Sequence, residues 1–300
     1  MRNKGTMDAE VLEKYKFAGR IAKQSLLYGE TLIRKGARMI EVTEKIEKKI
    51  HDLGGKPAFP PQISCDEIAA HYCAFPDDPI VFENQLCCLD IGVHVDGYIG
   101  DNALTVDLSG NHGELVKASK EALRAGAEVL EKGARLSKIG RAIEQAIIGF
   151  GYKPVRNLSG HGLGRYGIHT APTVPNYEIE SKETIQEGYI AIEPFATDGA
   201  GFIEEVGHPN VFEMIAKKPV RTGFVRDIQK EIEGFHGLPF TKRWLLVKFS
   251  EAQINYALQQ FDHLGILRKY PPLVERRKGL VSQAENSYYI GDDVVELTHP

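Results

Sequence analysis

Residues Leu89–Asp107 read LDIGVHVDGYIGDNALTVD, a β-hairpin pattern that carries carboxylates among Ile, Val, Leu and Thr. Side chains alternate between the two faces of a strand, and Asp-Gly is a typical two-residue hairpin turn. With Asp96–Gly97 as the turn, Asp90 pairs with Ala103 and lies diagonal to Asp101. Both carboxylates then point to the same face of the hairpin.

The two faces of this hairpin differ in chemistry. This face also carries Gly92, His94, Thr105 and Asp107. From this segment alone two interpretations stay open: a half-solvated hairpin with ordinary surface acids, or the polar floor of a functional site. The opposite face is apolar and predicts a contact with the core, through Leu89, Ile91, Val93, Val95, Leu104 and Val106.

The whole chain has 300 residues, enough for one large or two ordinary domains with a substantial core. Its net charge of -4 gives no reason to expect nucleic acid or an anionic membrane as partner. No apolar run approaches the roughly 18 residues of a membrane span, and the N-terminal stretch lacks a signal-peptide pattern. The four cysteines show no C-x-x-C spacing, so we expect reduced thiols and a cytoplasmic location.

An internal repeat at an offset of 97 residues organises the chain. Gly29–Pro57 matches Gly126–Pro154 at 11 of 29 positions, including a shared KGAR motif. One long period predicts two related lobes and not a solenoid. In the first lobe, the spacing of apolar residues predicts helices over 9–35 and 42–53. Pairing of the lobes about a pseudo-two-fold axis leaves a cleft that the polar face of the hairpin can line.

The second half of the chain mixes strands with a helical segment. Residues 222–270 have a helical pattern, with Ser250 as a plausible N-cap and Gly265 as a plausible stop. We interpret 222–270 as a helical subdomain inserted into a single domain that spans 1–300. Strands are predicted around it, at 188–195, 279–290 and 294–297.

Three further segments carry polar residues in strand-like or glycine-rich settings. His161 and His169 lie in NLSGHGLGRYGIHTAP, Glu193 in GYIAIEPFAT and Glu285 in GLVSQAENSYYI. Taken singly, each is more often a strand-end acid or a loop histidine than a functional residue. Together with the hairpin they give a candidate set of four carboxylates and one imidazole: Asp90, Asp101, His161, Glu193 and Glu285.

Convergence of these five side chains would imply bound metal. Four carboxylates in a low-dielectric cleft repel one another strongly unless cations neutralise them. The set lacks thiolates and is too large for one tetrahedral zinc, so it suits two divalent ions of the Mn, Fe, Co or Zn type. Two such ions a few ångströms apart are typical of metal-assisted amide hydrolysis. The sequence does not determine which metal is used.

Five motifs, in this order, resemble the methionine aminopeptidases, whose fold is called pita-bread: FPPQISCDEIAAHY, LDIGVHVDGYIGDNALTVD, GHGLGRYGIH, AIEPFAT and QAEN. The resemblance runs from about residue 9 to the C-terminus. It implies an α/β (α+β) fold of two pseudo-symmetric lobes around a central antiparallel sheet. The long gap between Glu193 and Glu285 is similar to that of the type 2 class, and the short N-terminus is similar to that of archaeal members.

The resemblance also implies roles for individual residues. Asp101 and Glu285 would bridge two metal ions, Asp90 would chelate one, and His161 with Glu193 would bind the other. A bridging water or hydroxide would attack the scissile carbonyl, with Glu193 as the proton shuttle. Two histidines would contact substrate and stabilise the tetrahedral intermediate; they are His71, in AAHY, and His169.

Specificity would come from an apolar slot for methionine. By resemblance Phe59, Ile168 and Tyr270 line this slot, and His208 approaches it. The chain departs from the family pattern at Pro239, where a small residue is usual. A second departure is Asp66, where the family often has Asn.

The implied function is removal of the initiator methionine from peptides and nascent proteins, including ribosome-associated chains, when the second residue is small. We expect a monomer. Two alternatives are an X-Pro peptidase and a metal-free binding module of the same fold. X-Pro peptidases usually carry an additional N-terminal domain and an acid after the second histidine, where this chain has Thr170. The binding modules have lost metal ligands, whereas all five candidates are present here.

Overall fold

The computed structural model describes residues 4–299, so the predicted domain limits at residues 1 and 300 lie outside the described residues. Its helices are α1 (Lys4–Leu32), α2 (Met39–Asp52), α3 (Gly113–Glu128), α4 (Leu136–Gly149), α5 (Gly223–Glu233), α6 (Lys242–Leu245) and α7 (Glu251–His263). Its strands are β1 (Lys56–Pro57), β2 (Gln62–Cys65), β3 (Ile68–Ala70), β4 (Leu86–Val95), β5 (Tyr98–Asp107), β6 (Lys153–Pro154), β7 (Ser159–Gly164), β8 (Gly167–Pro175), β9 (Gly188–Ile192), β10 (Phe195–Thr197), β11 (Ile203–Glu205), β12 (Val211–Met214), β13 (Phe240–Thr241), β14 (Leu267–Tyr270), β15 (Leu273–Glu275), β16 (Val281–Gln283), β17 (Asn286–Ile290) and β18 (Val294–Glu296). Within residues 4–299 no helix is both long and apolar enough to cross a membrane.

The predicted repeat is visible as two copies of one structural unit. Helices α2 and α4 have the same length and begin 97 residues apart, and strands β1 and β6 follow them at the same offset. The glycines of the two KGAR motifs, Gly36 and Gly133, both adopt positive φ, at 85° and 88°. The Gly36 N–H donates to the Phe82 carbonyl, and the Gly133 N–H donates to the Ile185 carbonyl. Equal sequence offsets therefore correspond to equal structural positions.

The first two helices differ from the predicted ranges at their ends. The predicted end of α1 at residue 35 was wrong, because the turn at Gly36 redirects the chain and the helix stops at Leu32. Helix α2 begins at Met39, three residues before the predicted start. Its first two side chains, Met39 and Ile40, are buried, so packing and not polar patterning sets its N-terminus.

The hairpin register predicted from the sequence is confirmed. Strands β4 and β5 are antiparallel, with Asp90 paired to Ala103. Asp96 and Gly97 both have positive φ, 53° and 88°, as the favoured two-residue hairpin turn requires. The apolar face packs into the core of the first lobe. The polar face is also covered by protein, with Thr105 only 4% exposed, so the half-solvated interpretation is wrong.

The second lobe contains a five-stranded sheet in the order β18-β17-β9-β7-β8. The strands predicted at 279–290 and 294–297 correspond to β16 with β17 and to β18, and β17 pairs with β18 in antiparallel orientation. The predicted strands are broken at the two acids, however. Glu193 lies between β9 and β10, and Glu285 lies between β16 and β17. The prediction of one continuous strand over 188–195 was therefore wrong.

A seam of hydrogen bonds joins the two lobes beside β5. Ala103 and Glu285 form an antiparallel bridge, with N–H to carbonyl distances of 3.2 and 3.0 Å. On one side of this bridge the Ser287 hydroxyl accepts from the Asp101 N–H at 2.8 Å and donates to the Asp101 carbonyl at 2.7 Å. The hydroxyl thus replaces a peptide group in the ladder, and it fixes the backbone of Asp101 to the second lobe.

The segment 222–270 contains helices α5, α6 and α7, together with strands β13 and β14. These elements share an apolar core of their own, in which β12 also takes part. The predicted N-cap is confirmed, because Ser250 forms a capping box with Gln253, and Gly265 follows the helix end with φ of 65°. The assignment of 222–270 as a separate subdomain stays a prediction.

A substitution that keeps the shape of the side chain tests the role of the hydroxyls at the seam. The Thr105 hydroxyl donates to the Gln283 carbonyl at 2.7 Å and accepts from its N–H at 2.8 Å. Thr105→Val keeps the side-chain shape but leaves both buried backbone groups unpaired, so we expect the free energy of unfolding to fall by about 1–3 kcal/mol. Thr105→Ser keeps the hydroxyl and should cost less. Urea unfolding measures the free energy of unfolding of both variants. Equal losses of stability in Thr105→Val and Thr105→Ser would contradict this role for the hydroxyl.

Candidate active site

A cavity of about 580 Å³ lies beside the seam. It is lined by all ten residues that the sequence analysis assigned to catalysis, metal binding or substrate binding, and by Pro239: Phe59, His71, Asp90, Asp101, His161, Ile168, His169, Glu193, Tyr270 and Glu285. His208 is not among its lining residues. It is exposed and borders a second cavity of about 320 Å³. Asp66 also lies elsewhere, with its carboxylate accepting from the Leu86 N–H at 3.0 Å.

The hairpin and the seam together bring the acids to one place. Asp90 and Asp101 share the polar face of β4 and β5, and the bridge to Ala103 sets Glu285 beside them. Asp107 lies farther along the same face but serves a different purpose. Its carboxylate accepts hydrogen bonds from the backbone of residues 109, 110 and 112 and so holds the loop before α3.

The imidazole of His161 points into this group of acids. Its Nε2 lies 3.7 Å from Asp101 Oδ2 and 3.5 Å from Glu193 Oε1. Its Nδ1 lies 3.2 Å from the Gly162 carbonyl, so a proton on Nδ1 leaves the Nε2 lone pair facing the carboxylates. One possible ligand atom each from Asp101, His161 and Glu285 falls within 4.8 Å of the others. This spacing suits a shared cation.

Burial makes the charged form of these acids unfavourable. It raises the pKa of Asp90 to about 7. Burial, reinforced by the neighbouring carboxylates, raises the pKa values of Asp101, Glu193 and Glu285 well above the usual range. Burial likewise lowers the pKa of His161 to about 3, with a further contribution from His169. The protein alone therefore supplies no counter-charge for a set of four carboxylates.

The donor set fits divalent metal ions. Three buried carboxylate oxygens have no hydrogen-bond partner among the described residues; they are Asp90 Oδ1, Asp101 Oδ1 and Glu285 Oε1. Unpaired buried acceptors are costly, and a cation would both pair them and remove their mutual repulsion. Oxygen ligands with one imidazole nitrogen suit first-row divalent metals. The chemistry of the site therefore agrees with the metal-binding prediction.

Gln283 is a member of the site that the sequence analysis did not assign a role. Its Nε2 lies 3.5 Å from Asp90 Oδ2 and 3.4 Å from Glu285 Oε2. It therefore contacts one acid from each lobe. The signal was present in the QAEN motif, where Gln283 stands two positions before Glu285 and shares its side of an extended chain.

Gln62 is a second such residue, and it supports His71. His71 has a positive φ of 68°, unusual for a residue other than glycine. The Gln62 Oε1 accepts from the His71 N–H at 2.7 Å and so holds this backbone conformation. Gln62 is also the cross-strand partner of Asp90. No local pattern could have revealed the contact, because it joins β2 to the turn that follows β3.

The two histidines outside the acid cluster are kept neutral. Burial lowers the pKa of His71 to about 4, with a contribution from His169. His169 is exposed at the rim, and desolvation within the cavity lowers its pKa too. The His71 Nδ1 has no hydrogen-bond partner among the described residues. This nitrogen is buried, although the His71 side chain lines the cavity.

An aromatic wall faces the histidines. The ring centroids of His71 and Tyr270 are 5.4 Å apart, and the hydroxyl of Tyr270 donates to Glu213. Phe59 is buried against β4, where a side chain at Gly92 would lie only 2.2 Å from its ring. Glycine at position 92 therefore makes room for the Phe59 ring between the strand and the cavity.

Comparison with known proteins places this geometry in a family. The model of metallopeptidase family M24 matches residues 13–225. The chain belongs to metallopeptidase family M24. It is 43% identical to a methionine aminopeptidase of Archaeoglobus fulgidus, with 97% of this chain and 99% of the relative covered. It is 40% identical to that of Methanocaldococcus jannaschii, with the same coverage.

Solved structures support the fold. The crystal structure of a methionine aminopeptidase from Thermotoga maritima aligns with a TM-score of 0.70 at 20% sequence identity, covering 97% of both chains. Pairs this low in identity share a fold without establishing shared residue roles. The pita-bread architecture predicted from the sequence is confirmed, and the family match supports use of divalent metal.

Metal binding by this M24 chain should release protons. The raised pKa values mean that the metal-free acids hold protons near pH 7, and these must leave when a cation binds. We expect metal binding at pH 7 to release protons. We also expect the apparent affinity for the metal to increase as the pH rises through about 7. Calorimetric titration with Mn²⁺ in two buffers of different ionisation enthalpy measures the number of protons. Identical heats in both buffers would contradict the expectation.

Substitution of Gln62 tests its support of His71. Gln62→Met has a similar volume but no acceptor for the His71 N–H, so we expect peptidase activity to fall by about 10- to 100-fold through misplacement of the imidazole. Metal affinity should be unchanged. The matched control is Gln229→Met, because Gln229 is also buried and bonds the Lys218 carbonyl far from the cavity. Equal activity in the two variants would show that Gln62 does not position His71.

Proposed function

We propose that the chain is a metal-dependent methionine aminopeptidase that hydrolyses the first peptide bond of substrates with a small second residue. The observation that carries this proposal is the meeting of four carboxylates and one imidazole at the base of a cavity with an aromatic wall. The similarity to archaeal methionine aminopeptidases over nearly the whole chain supports the same conclusion.

Two divalent ions would be held by the five cluster residues. Asp101, Glu285 and His161 each offer a ligand atom within 4.8 Å of the others, and Asp90 and Glu193 line the same cavity, so these five residues would hold the ions. Such ions supply Lewis acidity and lower the pKa of water when they are bound. Gln283 donates to Asp90 and Glu285 and keeps both carboxylates oriented.

The remaining steps fall to side chains of the cavity. Glu193 lines the cavity, and its carboxylate, ionised once a cation is bound, would accept a proton from the attacking water and pass it to the leaving amine. His71 and His169 are neutral imidazoles near pH 7 and would contact the substrate without an additional charge. An imidazole N–H that faces the substrate would stabilise the oxyanion of a tetrahedral intermediate.

Selectivity for methionine would come from the apolar wall. Phe59, Ile168 and Tyr270 line the cavity next to the acids, and Pro239 completes this side. An unbranched thioether fits against aromatic rings and makes favourable sulfur contacts with them. The hydrogen bond from Tyr270 to Glu213 fixes the tyrosine ring, so this part of the wall is preformed.

The substrates would be peptides and nascent chains with N-terminal methionine, including chains still on the ribosome. We further propose a cytoplasmic monomer. Reduced cysteines agree with this location: the four cysteines are free, and three of them are buried.

A pair of matched variants tests the assignment. Metal-loaded protein should release methionine from a Met-Ala-Ser peptide and leave Ala-Pro peptides intact. Asp101→Asn should lose metal and at least about 100-fold in activity, in the range that loss of a metal-site group costs. Asp107→Asn lies on the same face of the same strand but only holds a loop, so it should remain active.

Two results would overturn the proposal. The first is cleavage confined to X-Pro peptides, which would make the chain an X-Pro peptidase. The second is full activity of Asp101→Asn, which would remove the ligand assignment. Circular dichroism and metal analysis of both variants separate loss of the site from loss of the fold.

A further inference from the structure

Strand β11 is an edge strand at the mouth of the cavity. It belongs to a three-stranded sheet in the order β11-β15-β3, so only one of its edges is paired by a strand. The Phe202 carbonyl accepts from the Arg276 N–H and the Val206 N–H donates to the Pro272 carbonyl, both at 2.9 Å. Backbone groups of an antiparallel strand alternate in direction. The N–H and C=O of Ile203 and Glu205 therefore point to the other edge.

A side-chain amide already occupies part of this second edge. The Asn157 Nδ2 donates to the Ile203 carbonyl at 2.8 Å, and the Ile203 N–H donates to Asn157 Oδ1 at 2.9 Å. These two bonds are the pattern that a neighbouring strand would make with a single residue. Asn157 thus shows that a planar amide fits against β11 in this direction.

The next outward-facing position is Glu205, and its edge is open. No backbone hydrogen bond across this edge involves Glu205 within residues 4–299. Ile203, Glu204 and Glu205 line the same cavity as the acid cluster, and so does the facing segment 157–160. A peptide whose first residue lies at the acids and whose chain leaves through this mouth passes along the edge of β11.

We propose that β11 is a subsite for the substrate main chain beyond its second residue, which pairs with the N–H and C=O of Glu205 as an added antiparallel or parallel strand. This subsite rests on the aminopeptidase function proposed above. Main-chain pairing gives affinity without reading side chains, as in other cases of strand addition. It suits an enzyme whose substrates share a first residue and differ afterwards.

Peptide length is the first test. A series from Met-Ala-amide to Met-Ala-Ser-Gly-Ser-amide should show KM falling by about three- to tenfold for each hydrogen bond gained, and then levelling off. The value of kcat should change little. Single N-methylation at the third, fourth or fifth residue should raise KM again at one position only. A KM that is independent of both length and N-methylation would overturn the subsite.

Substitutions at position 205 give an independent readout. Glu205→Pro removes the N–H at an edge position where proline is tolerated, and it should reduce the dependence of KM on length by the share of one hydrogen bond, about three- to tenfold. Glu205→Ala keeps the N–H and should retain that dependence, which separates the backbone from the carboxylate. Failure of the proposed function would look different, because no peptide in the series would then release methionine. If Glu205→Pro does not fold, the N-methyl series still decides the question on the unmodified protein.

Discussion

The mutual repulsion of four buried carboxylates is the constraint on which the rest of this structure depends. Asp90, Asp101, Glu193 and Glu285 come from separate segments, and each is brought out of water, where its charged form is unfavourable. A single hydrophobic core could not hold such a group. The chain instead has separate cores on either side of the acids. Neither core contains the acids, so their electrostatic cost falls on the seam, where cations can offset it.

The seam also aligns the two lobes, whose strands do not form one continuous sheet. Among the described residues, the backbone-to-backbone bonds that β5 makes to the second lobe lie between Ala103 and Glu285. On either side of this bridge a hydroxyl takes the place of a peptide group: Ser287 at Asp101, and Thr105 at Gln283. A hydroxyl can both donate and accept, so one side chain satisfies two buried backbone groups. The spacing that it introduces leaves room beside the bridge for the carboxylates of Asp101 and Glu285.

The parts of the fold and site that could be predicted from sequence are those with a fixed local rule. The register of Asp90 and Asp101 follows from a period of two and an Asp-Gly turn, and the repeated KGAR motifs gave the two lobes. The breaks in the strands at Glu193 and Glu285 escaped prediction because the chain passes there from one sheet to another, and sheet membership depends on pairing between distant strands. Gln62 was missed because its partner is the turn that follows another strand. The role of His71 was predicted only from the resemblance to a family. Without that resemblance, His71 would be interpreted as an ordinary histidine with no catalytic role.

The repeat also shows how symmetric positions acquire different uses. Glu47 and Glu144 occupy equivalent positions in α2 and α4. Glu144 pairs with Arg156 of its own lobe, whereas Glu47 receives two hydrogen bonds from Arg243 and one from Trp244. Glu47 thus fastens the segment that supplies Tyr270 to the first lobe. Because this ion pair is nearly buried, losing one partner would cost more than losing an exposed pair. The segment that carries Tyr270 is therefore held by the first lobe, whereas His161 belongs to the second lobe.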